Sequence, residues 1–420
     1  MFRFCPALCL ELEAPGSGVQ VIASIAERGK VTRGRYLIAL VMAVGLLCPS
    51  AGAAAHHQQS AGRAASEAVV ARSVEKLGLF SKWLAEGRAR GLIGEVGWPG
   101  NPAAAGDLRW NRVAAAWYRA ARAKGLWVSA WATGELWASS YKLAVFRAGG
   151  APGTPVGVAN PQAAVIEAQG SVPLRGINVE QGSFGEFGAG FDPLAQTSPL
   201  TNRNVGAYGS TYSYPSEATY AYLAGKKIAY VRLAFRWERI QPTLGGALDL
   251  VELERLRTSV EMAGRAGVGV ILDCHNYGVY FAASGGGGSR LNLGSGSLPI
   301  ADFADLWRRL SLAFRDERAV IGYGLMNEPV GVTSPRAWEA ASSAAAAAIR
   351  GNDDRKRVFV AAFGWDGVGD FSRSHPAGPW INDPIGNTWY EAHQYFDSDM
   401  SSHYRLSFDQ EAIAASRAGY

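Results

Sequence analysis

Cysteine is scarce in this chain, and so are long apolar runs and any excess of one charge. Of 4 cysteines in 420 residues, Cys5, Cys9 and Cys48 stand in an N-terminal segment that reads as removable. Cys274 is then alone in the processed chain, so no disulfide can form within one molecule, even in an oxidising compartment. The chain has only 6 histidines, and beyond the leader it has no His-x-x-x-His or Cys-x-x-Cys pair, so no metal site and no cofactor is expected. His56 and His57 are adjacent, but they fall in a stretch expected to be disordered. The apolar run Tyr36 to Leu47 is about twelve residues long, whereas a membrane-spanning helix needs roughly twenty. A formal charge of +5, from 41 basic and 36 acidic residues without a basic stripe, gives no footprint for nucleic acid. The glycine run from Ser284 to Ser289 lacks both the P-loop lysine and the dinucleotide-binding spacing, and is expected to be a flexible loop on the active face.

What the chain does have is apolar material and aromatics. A hydrophobic content of 48% supports a large core, enough for one large α/β domain or two smaller ones. Thirteen Trp and 16 Tyr raise the possibility of a carbohydrate ligand, because aromatic faces in a cleft grip the apolar faces of sugar rings, although most aromatics in any domain are core. Residues 1–55 form a leader. Arg33 and Arg35 precede the apolar run and Ala53-Ala54-Ala55 follows it, the pattern of a signal peptide cleaved near Ala55. Secretion is the expectation, extracellular or periplasmic, with no stable membrane association after cleavage. Residues 1–30 have no place in such a signal, which puts the expected translation start near Val31.

Beyond the leader, strand-like and helix-like runs alternate. Helical spacing covers Ser66 to Arg90, Asp107 to Lys124, Pro215 to Ala224, Leu250 to Ala266, Ile300 to Phe314 and Pro335 to Arg350. Strand-like runs cover Gly91 to Gly97, Leu126 to Trp131, Val172 to Val179, Ile228 to Leu233, Gly269 to Asp273, Val320 to Leu325, Val358 to Ala362 and Tyr390 to His393. Arg147 to Asn160, rich in Gly and Pro, reads as a linker at 147–160. Two strands before the linker and six after it make eight, the number that closes a parallel barrel, so the fold class is α/β, a (β/α)8 TIM barrel spanning 56–420.

The ends of these strands carry Arg175-Gly-Ile-Asn178, Val231-Arg232-Leu233, Asp273-Cys-His-Asn276, Asn327-Glu-Pro329, His393-Gln-Tyr395, Gly94-Glu-Val-Gly97 and Trp131. Together they resemble the successive strand-end motifs of glycoside hydrolase family 5, the cellulase family. Their order departs from the family pattern, in which the Glu-x-Gly and Trp strands come last. The simplest account is circular permutation, with the linker joining the old ends and new ends falling in an exposed connection. Pieces of two copies in a tandem array are the rival account.

The resemblance implies a retaining glycosidase with Glu328 as acid/base and Glu95 as nucleophile, roles that require two carboxyl groups about 5 to 5.5 Å apart. Taken singly, either glutamate could be a solvated loop residue. Arg232 would keep the nucleophile ionised, since a nearby guanidinium favours a carboxylate. Asn327 would bind the sugar 2-hydroxyl, and Tyr395 would donate to Glu95. His275, Asn276 and His393 would be polar residues of the site, and Trp131 a sugar platform. Trp98, Trp137, Trp237 and Trp365 are candidate neighbours or plain packing. The implied function is an endo-β-1,4-glucanase acting as a monomer on β-glucan or a related plant-type polysaccharide. Mannan, xyloglucan and other β-glucans remain open as substrates. A decayed, carbohydrate-binding barrel is the alternative of another class.

Overall fold

The computed structural model describes residues 51–101, 106–170, 174–184, 192–285 and 287–420, with side chains from Ser66 onward. The leader up to Ser50 therefore lies outside the described residues. Eight parallel strands form a closed barrel: β1 (Arg90–Gly97), β2 (Trp127–Thr133), β3 (Gly176–Val179), β4 (Tyr230–Phe235), β5 (Gly269–Cys274), β6 (Val320–Gly324), β7 (Arg357–Ala361) and β8 (Thr388–Tyr395). They close in the order β1-β8-β7-β6-β5-β4-β3-β2. This is the (β/α)8 barrel that the strand-like runs implied. Glu95's strand β1 pairs with β8 on one side and with Trp131's strand β2 on the other, and β2 pairs onward with β3.

Helices cover the outside, and their local sequences explain where they start. Val69, Leu77 and Phe80 of α1 (Ala51–Glu86) and Val113 and Trp117 of α2 (Arg109–Ala123) turn inward and are buried. Ser216 caps α3 (Glu217–Gly225) and Asp249 caps α4 (Leu250–Arg265), each side chain accepting a backbone N–H from the first turn. In α5 (Ile300–Phe314), Phe303, Leu306, Trp307, Leu310 and Phe314 recur at helical spacing and bury one face. Ser334, followed by Pro335, starts α6 (Pro335–Arg350), and a Ser407/Gln410 capping box starts α7 (Phe408–Arg417). α1 and α7 meet just beyond the end of β8. The buried Arg72 guanidinium donates to the Glu411 carboxylate (2.9 Å) and to the Phe396 carbonyl (2.7 Å).

Within the stretch of the expected linker, Phe146–Ala148 and Val156–Ala159 form an antiparallel pair. Other expectations are corrected. The glycine run is the tip of a hairpin between Val279–Ser284 and Gly287–Asn292, because Gly285 supplies the positive φ that the turn requires. His56 and His57 lie in helical backbone, α1 running on from Ala51. Trp131 does not end its strand, since β2 continues to Thr133. Val172 and Pro173 of the expected third strand lie outside the described residues.

Candidate active site

The C-terminal ends of the strands converge on one mouth. On β8 the residues Glu391, His393 and Tyr395 alternate and so share the inner face. On β1 the pairing with β8 shifts between Ile93 and Glu95, an irregularity centred on Gly94 that places Glu95 opposite His393. Gly94 gives room: a Cβ there would run into the Glu391 carboxylate. Just beyond β5, β6 and β7, Tyr277 (φ 56°), Glu328 (φ 38°) and Asp366 (φ 55°) adopt left-handed backbone, a costly conformation for tyrosine and glutamate. The surrounding hydrogen bonds hold it. Asn327 N–H donates to the Cys274 carbonyl (2.9 Å), and His393 N–H donates to the Asp366 carbonyl (2.6 Å).

Arg232, 1% exposed, is the hub of the charges. Its guanidinium lies 3.3 Å from Glu95 Oε1, 3.0 Å from Asp273 Oδ1 and 2.9 Å from Glu391 Oε1. It also donates to Asn178 Oδ1 (3.0 Å) and Asn327 Oδ1 (2.7 Å). Tyr395 donates its hydroxyl to Glu95 Oε2 at 2.6 Å. His393 Nδ1 sits 2.9 Å from Glu328 Oε1 and 3.5 Å from Glu95 Oε2. One carboxylate oxygen of each of Glu95 and Glu328 lies within 4.8 Å of the other. Burial pushes Glu95 up to about 7, opposed by His393, reinforced by the Glu328 charge, and opposed again by Arg232 and the Tyr395 hydroxyl.

The two histidines are held in opposite states. Burial and the Arg232 charge keep His275 well below its ordinary value, hence neutral. Its Nδ1 faces Asp273 Oδ2 (2.8 Å) and Glu180 Oε2 (3.2 Å), which places the proton there and leaves Nε2 to accept from Asn327 Nδ2 at 3.2 Å. Asn327 is thereby held at both ends of its amide. For His393, burial lowers the imidazole, but the Glu95 charge, bonds to Glu328 and Glu391 and the Asp366 charge outweigh it and hold the ring well above the usual value.

Trp131 is half-buried, stacked near His275 (6.1 Å, 24°), with Nε1 donating to the Tyr141 hydroxyl at 2.6 Å. Trp137 stacks on Tyr141 and meets Trp131 edge-on, extending the aromatic wall. Trp365, 46% exposed, approaches Tyr277 from another loop. Trp98 and Trp237 are buried packing residues, bonded to Asn111 and Gln241, and do not reach the mouth. Asn276 is also turned away: it accepts from Trp237 N–H (2.8 Å) and donates to Glu238 (2.8 Å) and the Val279 carbonyl (3.0 Å), bracing the loop after β5.

Glu180, Tyr277, Asp366 and Glu391 are constituents of the site that the motifs did not single out. Glu391 has a signal in hindsight, since it stands two positions before His393 on an alternating strand. Asp366 has none, because a loop and a left-handed turn bring it in. Among the described residues, three groups have the donor types of a metal site: Glu95/Glu328/His393, Glu180/Asp273/His275 and Asp366/Glu391/His393. Each includes a carboxylate already paired with Arg232, so a cation there would meet the guanidinium at close quarters.

A closed parallel barrel with two glutamates facing each other at its mouth defines a class, that of barrel proteins which carry their chemistry at the C-terminal strand ends. Within that class the chain matches the model of cellulase (glycosyl hydrolase family 5) over residues 190–418, more than half of its 420 residues, and it belongs to that family. The manganese dependent endoglucanase Eg5A of Phanerodontia chrysosporium is 29% identical over 204 residues, covering 47% of this chain and 50% of that protein. Endoglucanase 1 of Robillarda sp. (strain Y-20) is 29% identical over 247 residues, 56% of this chain and 62% of that one. The chain thus spans about half to three fifths of the length of these curated relatives. A solved endo-β-1,4-glucanase of Xanthomonas axonopodis pv. citri is 34% identical, covering 51% of this chain and 69% of that one, with a TM-score of 0.43.

Proposed function

We propose that this protein is a secreted endo-β-1,4-glucanase that hydrolyses β-glucan with retention of configuration. The observation that carries this is the approach of Glu95 and Glu328 to within 4.8 Å at the mouth, a spacing that suits direct attack rather than an intervening water. Glu328 gives a proton to the glycosidic oxygen while Glu95 bonds to the anomeric carbon. Glu328, now a carboxylate, then takes a proton from the water that displaces Glu95. Arg232 and Tyr395 favour the ionised nucleophile, Asn327 is fixed to meet the sugar 2-hydroxyl, and Trp131 forms the platform. The endoglucanase names of curated family members support the substrate class.

The barrel is read as circularly permuted. The family match over 190–418 contains β4 to β8, whereas β1 and β2, which precede it in sequence, close the barrel between β8 and β3. Secretion follows from the leader, whose cleavage near Ala55 is checked by mass spectrometry of the exported N-terminus. Hydrolysis of a panel of soluble glucans, mannans and xyloglucans tests the function. Rapid loss of viscosity on a β-1,4-glucan is expected, and binding without turnover would reject the enzyme reading.

A further inference from the structure

Behind His393, on the side away from Glu95 and Glu328, stand two carboxylates that the double displacement does not use. Nε2 lies 3.5 Å from Glu391 Oε1 and 3.6 Å from Asp366 Oδ2, and has no nearer hydrogen-bond partner among the described residues. Both side chains are buried, at 3% and 0% exposure. Asp366 is locked in place: Oδ1 accepts the Ala362 N–H (2.5 Å), its carbonyl accepts the His393 N–H (2.6 Å), and its backbone is left-handed. Glu391 is lodged under Gly94 and paired with Arg232 Nε at 2.9 Å.

This arrangement restricts where protons can be. A ring without a proton on Nε2 would turn a lone pair toward two buried carboxyl oxygens, a repulsion that low dielectric makes severe. A proton on Nε2 removes it. On the other edge, Nδ1 and Glu328 Oε1 are 2.9 Å apart. Either Nδ1 donates to a carboxylate there, or it accepts from a carboxylic acid. The charged and titratable groups around the ring are Glu95 from β1, Arg232 from β4, Asp273 and His275 from β5 and its end, Glu328 after β6, Asp366 after β7 and Glu391 on β8.

We propose that Asp366 and Glu391 are positioning residues that pin a proton on His393 Nε2, so that the acid proton of the reaction is shared between Glu328 Oε1 and His393 Nδ1. The proposal rests on Glu328 being the acid/base. In glycosylation the shared proton passes to the leaving oxygen as the C1–O bond breaks and the bond from C1 to Glu95 forms. The pair is left as a carboxylate and a neutral imidazole that keeps its Nε2 proton. In deglycosylation the attacking water bonds to C1, returns its proton to the pair and frees the Glu95 carboxylate.

Imidazole ¹⁵N NMR of the full chain tests this. In the wild type, His393 Nε2 should stay protonated from about pH 5 to 8. In Glu391→Gln, and in the same direction in Asp366→Asn, loss of a buried anion should lower the titration of His393 by about one unit or more. The basic limb of kcat/KM on an unactivated cello-oligosaccharide should move down with it, giving roughly tenfold slower turnover beyond the wild-type limb. An activated aryl glycoside, which needs no proton to depart, should keep its basic limb. A folded Glu391→Gln variant whose His393 titrates as in the wild type would overturn the proposal. If neither variant folds, a wild-type Nε2 found unprotonated at pH 6 overturns it alone. Full activity of Glu328→Gln on the unactivated substrate would instead remove Glu328 as the acid, and the shared proton with it, whatever His393 does.

Discussion

Gly94 and Glu391 compete for one volume inside the barrel: a Cβ on the glycine would stand against the Glu391 carboxylate. The glycine before Glu95 is thus required by a side chain on the neighbouring strand rather than by its own backbone angles. Gly94→Ala should displace Glu391 and, through Arg232, disturb Glu95. A loss of about 1–3 kcal/mol in urea unfolding is expected, the usual cost of overpacking, with kcat falling at least about tenfold because the proposed nucleophile moves. Adding Glu391→Ala should return part of the stability. Strict additivity of the two changes would show that they do not share this volume.

Arg232 is expected to help set the acid side of the pH profile. Burial raises Glu95, and the guanidinium pulls it down. In the proposed mechanism Glu95 attacks as a carboxylate, so removing the cation should move the acidic limb of kcat/KM toward higher pH. Arg232→Lys keeps a charge without the fork, and should move the limb less than Arg232→Met does. A limb that stays in place in a folded Arg232→Met protein would deny the guanidinium this role.

Asp383 should give an acid-dependent contribution to stability. The Arg350 guanidinium grips both of its oxygens at 2.9 Å, and the Asn387 N–H and the Thr388 hydroxyl each donate to it at 2.9 Å, anchoring the turn into β8. Burial would lift this carboxyl, but the Arg350 guanidinium, the Ile385 N–H (3.2 Å) and the Thr388 hydroxyl take it down to about 2. A depressed folded value means stability that is present above the unfolded carboxylate range and lost as pH falls from about 4 to about 2. Asp383→Asn should therefore cost up to about 2 kcal/mol at pH 7 and only a few tenths of a kcal/mol near pH 2. Urea melts at the two pH values check the difference.

Arg72 and Glu411 join α1 to α7 through a buried pair, 6% and 1% exposed. Glu411→Leu leaves the guanidinium buried with only carbonyl partners, and a loss of about 3–5 kcal/mol is expected. Replacing both, as Arg72→Met with Glu411→Leu, should restore most of it. Equal losses in the single and double variants would mean that packing, not charge, governs this junction.

Much of this was legible in the chain. Barrel strands buried on both faces leave continuous apolar runs broken by single polar residues, which is why the strands carrying Arg232 and His393 could be found in the sequence, although Arg232 lies inside β4 (Tyr230–Phe235) and Glu328 four residues beyond β6. Strand limits were less legible: β8 runs from Thr388 to Tyr395, yet Thr388 and Gln394 interrupt its apolar pattern. Asp366 could not be read, since nothing local distinguishes a loop aspartate bound for solvent from one turned inward by a left-handed residue. Trp98 and Trp237, open in the sequence between site neighbours and packing, turn out to be packing. Proximity to a motif in sequence says nothing about which face of a turn an indole takes.

The central claim is that Glu95 forms the covalent intermediate and Glu328 serves it. It is tested most directly by incubating the enzyme with an activated 2-deoxy-2-fluoro cellobioside, which slows release of the intermediate, and sequencing the labelled peptide by mass spectrometry. The account predicts one sugar bound through the side chain of Glu95, and none in Glu95→Gln. A label on Glu328, or a turnover product of inverted configuration with no label anywhere, would contradict it.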